Sequence, residues 1–166
     1  MMITVNISDT QIATGITDTL VTYSLGSCIG VALYDPIARC GGMLHYQLPA
    51  SSLDAGKAQR NPSMFADTGM DLLLANFEAA GGQARRARVC IAGAAQMIGD
   101  TGVFSIGKRN HAAIRKILWQ KGILLEAEDV GGGAPPDGGP HRTRHLVARR
   151  LRRAGSRSLP AILALL

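Results

Sequence analysis

No stretch of this sequence approaches the roughly 18 consecutive apolar residues that a membrane-spanning helix needs, so no membrane insertion is expected. The start, MMITVNISDT, has neither the basic head nor the apolar run of a secretory signal. Aromatic residues make up only 4% of the chain, so a core has to be assembled from Val, Ile, Leu, Ala and Met. There are only three cysteines, Cys28, Cys40 and Cys90, which cannot all pair within the chain, and no Cys-x-x-Cys spacing suggests zinc or redox chemistry. Free thiols suit a reducing compartment, so the expected location is cytoplasmic. HExxH, GxxxxGK[ST] and GxGxxG are all absent, as is any paired-carboxylate arrangement. Hydrolytic zinc, ATP and dinucleotides therefore have no support, and no cofactor or metal site is expected.

What is present is a chain of 166 residues, 46% hydrophobic, enough for one domain with a real core. The net charge of +6 is unevenly placed. Residues 134–166 hold seven of the 18 basic residues, all Arg, and one of the 12 acidic residues, which leaves 11 of each sign in residues 1–133. The whole excess sits in the tail. It reads as a solvated basic tail or as an electrostatic arm for an acidic partner or nucleic acid. No aromatic residue interleaves the arginines, so a base-stacking nucleic-acid surface is not indicated. Steep salt dependence of DNA affinity would support the opposite view.

Ile3, Val5 and Ile7 alternate with polar residues as in a half-buried strand. Thr19–Tyr23 is β-branched and aromatic, a second strand, and runs into the turn Ser24–Cys28 (SLGSC). Ile29–Tyr34 is nearly continuous in apolar residues, as in a strand buried on both faces, and Asp35-Pro36 closes it. Gly41–Leu48 and Ala87–Gly93 read as strands, and Ile123–Val130 as the last clear one. Residues 50–61 read as a loop. Asn61-Pro62 resembles a helix start, with Met70, Leu73, Phe77 and Ala80 at helical spacing and Gly81-Gly82 as the stop. After a Gly-rich loop, Ala94–Gly102, Ser105 can cap a second helix with Ile114, Ile117 and Leu118 inside and Gly122 as its end. His145–Arg153 reads as a basic helix. Mostly strands with two inserted helices implies a single α+β domain over residues 1–133: mixed sheets, sandwich-like, with two helices packed on the outside, followed by a divergent Arg-rich tail over 134–166.

Cys28 follows a Gly-Ser turn and precedes a buried strand, where a rigid element meets a loop. Taken alone it is either a small packed apolar residue or a nucleophile, and a nucleophile needs help to become a thiolate. His45 lies in the apolar strand Gly42–Tyr46, where an imidazole is either a hydrogen-bonded core residue or a base for a neighbouring strand. Cys90 reads as a buried strand residue, and Cys40 as a turn residue open to solvent. His111 falls on a helix among polar residues, and His141 and His145 in the tail.

The stretch Thr22–Pro49, TYSLGSCIGVALYDPIARCGGMLHYQLP, resembles the signature of CheD, the chemoreceptor glutamine deamidase family of bacterial chemotaxis. The shared features are a Gly-Ser-Cys turn, a strand ending in Asp-Pro, and a Gly-Gly-Met/Ala-x-His strand ending in Leu-Pro, with Cys and His 17 residues apart. Phe65–Met70, Val89–Met97 (with Ala94 where a second Gly is usual), Ile106–Asn110 (IGKRN) and Asp129–Gly132 match as well, so the resemblance covers about residues 3–133. Beyond Gly133 the family continues with Gly-Arg and a strand pair. This chain instead reads GAPPDGGPHRTRHLVARRLRRAGSRS, either a divergent tail or a shifted reading frame through GC-rich DNA.

The resemblance implies a thiol hydrolase acting on protein glutamine, with Cys28 as nucleophile, His45 as base and Thr22 orienting the imidazole. Backbone N–H groups of the Gly26–Cys28 turn, chiefly at Gly26 and Ser27, and of a neighbouring loop would receive the oxyanion. The implied partners are the cytoplasmic helical region of methyl-accepting chemotaxis receptors and, in some organisms, a CheC-type phosphatase. Two other readings stand beside it. One is a non-catalytic chemotaxis module that docks on receptor or phosphatase. The other is a different thiol hydrolase or acyltransferase, although papain-like enzymes space their Cys and His much further apart.

Overall fold

In β4 (Ile29–Asp35) large and small residues alternate, and that alternation organises the whole molecule. The computed structural model describes residues 1–15, 17–96, 105–132 and 146–149. Within them, the other strands are β1 (Met2–Thr4), β2 (Asp9–Ala13), β3 (Thr19–Thr22), β5 (Cys40–Tyr46), β6 (Arg88–Gly93), β7 (Leu125–Val130) and β8 (Leu146–Arg149). The helices are α1 (Ala55–Arg60), α2 (Ala66–Ala79) and α3 (Ile106–Gln120). A five-stranded mixed sheet runs β2-β5-β4-β6-β7, and a three-stranded one runs β1-β3-β8.

Alternate residues of a strand point to opposite faces. Ile29, Val31 and Leu33 therefore join Leu44, Tyr46, Val89 and Ile91 on one face, under Met70, Leu73 and Phe77 of α2 and Ile114 and Leu118 of α3. Ala32, Met43, Cys90 and Ala92 line the other face and meet Val5, Leu20, Leu25 and Leu146 on the side of the small sheet. The expected α+β arrangement, two sheets face to face with the two long helices outside, is the one observed. Among the described residues no helix is long and apolar enough to cross a membrane.

Asp35 closes β4 as the Asp-Pro turn predicts. Its buried carboxylate accepts from the amides of Ile37 at 2.9 Å, Ala38 at 3.1 Å and Gln83 at 2.9 Å, and pairs with Arg86 at 2.7 Å. Burial opposes the charge, but the guanidinium and amides outweigh it and hold the group down at about 2.

Several local readings are corrected. Residues 50–61 are not simply a loop: they contain α1, capped by Asp54, which accepts from the Lys57 amide at 2.9 Å. Asn61-Pro62 opens a single 3-10 turn, Pro62–Met64, and α2 starts only at Ala66. Strand β2, too polar to signal itself, forms the sheet edge beside β5. Cys40 is buried, because it pairs with Asp35 inside the β4–β5 ladder instead of lying in the turn. Ser105 occupies the N-cap position of α3, yet its hydroxyl makes no capping bond. The basic-helix reading of 145–153 fails over Leu146–Arg149, which is a strand antiparallel to β3. The free edge of β3 offers a ladder, and Leu146 is fully buried against the inner face. Residues 133–145 and 150–166, with the remainder of the tail readings, lie outside the described residues, as do 97–104 of the Gly-rich loop.

Candidate active site

Cys28 is half-buried in the turn just before β4, and its backbone is tied on two sides. Its N–H donates to the Leu25 carbonyl at 2.8 Å, closing the turn, and its carbonyl accepts from the Ala94 N–H at 2.8 Å. The Gly26 carbonyl accepts from Ala95 at 2.7 Å. The end of β6 therefore lies directly against the turn. Gly93 makes this possible: its φ is +117°, and a side chain there would collide with the Cys28 carbonyl. Ser24 (φ +55°) and Ala94 (φ +54°) also adopt left-handed backbone, a region that costs a non-glycine residue roughly 1–2 kcal/mol. Strain of this kind gathers where a site fixes its geometry.

His45 stands directly opposite Gly30 in the β4–β5 ladder. Cys28 lies two residues before Gly30, in the turn that leads into β4. Gly30 leaves room for side chains that cover this face of the sheet. A Cβ there would lie 3.1 Å from Leu146 Cδ2 and 3.3 Å from both Leu25 Cδ2 and Thr22 Cγ2.

Thr22 arrives from β3 of the other sheet and is fully buried. Its Oγ1 is 2.8 Å from the Val5 carbonyl and 2.8 Å from His45 Nδ1. These two contacts determine the tautomer. A carbonyl only accepts, so the single hydroxyl proton goes to Val5, and the proton of the second bond has to sit on Nδ1. Nε2 is left with a bare lone pair. It is buried and, among the described residues, has no hydrogen-bond partner, Cys28 Sγ included.

Burial pushes the His45 imidazole down to about 4 and the Cys28 thiol up, the latter partly countered by its own backbone N–H. Both groups are consequently neutral at neutral pH. Of the turn amides expected to receive an oxyanion, that of Cys28 is committed to Leu25, while those of Gly26 and Ser27 carry no hydrogen bond among the described residues. The neighbouring loop is less available: Ala94, Ala95 and Gln96 donate to Cys28, Gly26 and Gly132 carbonyls.

The structure thus brings Thr22 and His45 into contact, with Cys28 in the turn that leads into the strand paired with that of His45. The remaining candidates lie elsewhere. His111 bonds Glu128 at 2.9 Å on α3, and Cys90 is buried in β6. His141 and His145 are outside the described residues. Sequence reasoning gave no role to Gly30, Leu146, the Val5 carbonyl or Asn110. Asn110 sits in the matched IGKRN segment, and its amide Nδ2 donates to the Ser27 carbonyl at 2.9 Å and the Gln47 carbonyl at 2.8 Å.

A family model described as CheD chemotactic sensory transduction matches residues 47–135. The match begins two residues past His45, so it covers Asn110 but not Thr22, Cys28 or His45. A protein of Syntrophus aciditrophicus called a probable chemoreceptor glutamine deamidase is 47% identical over 127 residues, 76% of this chain and 79% of the relative. One of Solibacter usitatus with the same description is 48% identical over 130 residues, 78% and 77% of the two chains. The chemoreceptor glutamine deamidase of Halalkalibacterium halodurans is 43% identical over 118 residues, 69% and 72%.

Proposed function

We propose, because this chain belongs to the CheD family, that it is a hydrolase converting glutamine side chains of chemoreceptors to glutamate and ammonia, with Cys28 as nucleophile. The observation that carries this reading is the 2.8 Å contact between Thr22 Oγ1 and His45 Nδ1, which frees a buried lone pair at Nε2 on the strand paired with the one that follows Cys28.

With thiol and imidazole both neutral at rest, attack is base-assisted and does not start from a standing ion pair. As Cys28 Sγ bonds the glutamine amide carbon, Nε2 takes the thiol proton and the carbonyl electron pair moves to oxygen. The amides of Gly26 and Ser27 are the donors available to that oxyanion. His45 then passes its proton to nitrogen, the C–N bond breaks and ammonia leaves a thioester on Cys28. Water, deprotonated by Nε2, attacks the thioester, and the departing sulfur recovers the proton. Nucleophile–base bonds of this kind commonly tighten only once substrate is seated. Thr22 keeps the ring in the productive tautomer but adds no negative charge, so this base is weaker than one backed by a carboxylate.

The free thiols of Cys28, Cys40 and Cys90 suit a reducing compartment, and we take the cytoplasm as the site of action, on the cytoplasmic helices of receptors. A CheC-type phosphatase is the second partner the family implies. The test is mass spectrometry of a receptor fragment incubated with enzyme. Wild type adds about one mass unit per modified glutamine and releases ammonia, while Cys28→Ala and His45→Ala lose turnover by about 10⁴-fold or more. Full activity in Cys28→Ala overturns the reading.

A further inference from the structure

The β4–β5 ladder stops at the pair Ile29↔Tyr46. Beyond it the two chains part. On one side Cys28 turns back to the Leu25 carbonyl, and on the other the amides of Gln47 and Leu48 both donate to the Met64 carbonyl at 3.0 Å. Among the described residues no backbone hydrogen bond joins Ser27 or Cys28 to Gln47 or Leu48. The split is spanned by one side chain. Asn110 Nδ2 donates to the Ser27 carbonyl at 2.9 Å and to the Gln47 carbonyl at 2.8 Å. Both acceptors are carbonyls, so the NH₂ end of the amide has to face them. Ser27 immediately precedes the nucleophile, and Gln47 lies two residues after the base.

Asn110 is itself held in place. It is fully buried on α3, and the Tyr46 hydroxyl donates to its carbonyl at 2.7 Å. The start of α3 is pressed onto the loop after β6: a Cβ at Gly107 would come within 2.7 Å of the carbonyls of both Ala94 and Ala95. Asn110 Oδ1, by contrast, is buried without a hydrogen-bond partner among the described residues. A buried unpaired acceptor is destabilising, and Asn is a poor helix former, so neither packing nor helix propensity accounts for this residue. Its two donors do.

We propose that Asn110 is a positioning residue: by bridging the Ser27 and Gln47 carbonyls it sets the spacing between the turn that carries Cys28 and the strand that carries His45. It touches neither substrate nor the reacting atoms, and its role rests on the Cys28–His45 reading given above. A loosened bridge leaves thiol and imidazole each intact but misaligned.

The experiment compares Asn110→Ala and Asn110→Ser with wild type on a receptor fragment, alongside thermal melting and the rate of Cys28 alkylation by iodoacetamide. For Asn110→Ala the expected result is a kcat lower by on the order of 10²-fold, with KM and the alkylation rate each within about threefold of wild type. Asn110→Ser keeps one donor and falls between. Wild-type kcat in Asn110→Ala overturns the proposal, as does a loss of activity that tracks a rise in KM or a loss of folded protein in both variants. The two readings fail differently. Activity in Cys28→Ala removes the thiol mechanism, whereas inactive Cys28→Ala and His45→Ala beside a fully active Asn110→Ala removes only the bridge.

Discussion

Strand β4 joins two polar sites of opposite character. At its far end Asp35 accepts from three backbone amides and pairs with Arg86, and the whole group is closed off by satisfied bonds. At its near end, around Cys28, lie His45 Nε2 and Asn110 Oδ1, buried and without partners, and Ser105 Oγ is in the same state at the head of the helix that carries Asn110. These are all the buried side-chain polar atoms without partners among the described residues. Native proteins satisfy nearly every such group, so orphans at one end of a strand whose other end is saturated mark where structure has been arranged for something besides stability. One end of the strand holds a charge in a single state. The other keeps two titratable groups, Cys28 and His45, neutral.

The comparison is sharpened most by Asp35→Ala. It strands the Arg86 guanidinium and three amides, and is expected to lower unfolding free energy by about 3–5 kcal/mol in urea titration. Turnover per folded molecule should hardly change, and a large fall in kcat in the folded fraction would break the separation of the two ends. Next comes acid. The unfolded imidazole titrates near 6.5 and the folded one near 4, so below 6.5 the unfolded chain takes up a proton that the folded chain refuses. The contribution of His45 is fully present above 6.5 and is lost as pH falls toward 4, about 3 kcal/mol in all. His45→Gln should flatten that part of the stability–pH curve, and an unchanged slope would mean that His45 is not held neutral by burial. Thr22→Val removes the hydroxyl but keeps the shape. It should cost about 1–3 kcal/mol through the Val5 carbonyl and Nδ1 left unpaired, and lower kcat roughly 10- to 100-fold. The smallest effect is a gain. Ala94→Gly relieves the left-handed strain beside Cys28 and should raise stability by about 1 kcal/mol, read as an increase in melting temperature.

The apolar runs of β4, β5 and β6 were legible because a strand covered on both faces needs little polar residue, and the two long helices because Met70, Leu73, Phe77, Ile114 and Leu118 fall at helical spacing. Cys28 and His45 stood out as polar residues at the end of, or within, apolar strands. What stayed hidden depends on long-range contact. The edge strand β2, DTQIA, is half-exposed and carries no hydrophobic alternation. Cys40 looks like a turn residue until its pairing with Asp35 is known. Asn110 bonds only backbone carbonyls, 83 and 63 positions away, and those leave no side-chain signature in the sequence. The Arg-rich surroundings of Leu146–Arg149 suggest a solvated helix, and only the open edge of β3 turns those four residues into a strand.

That last pairing bears on the order in which the molecule is completed. β3 lies near the start of the chain and β8 near its end, with Thr22 opposite Leu146. The helix-covered side of the large sheet is built from segments that emerge before residue 131. A chain still being synthesised can therefore assemble its larger core while Thr22 and Gly30 remain open to water, and loop-closure entropy makes so distant a pairing a late step. The face of the sheet that carries His45 is sealed last, so a chain that ends before Leu146 would keep its helices and its Cys28 turn but leave the imidazole of His45 without its dry surroundings.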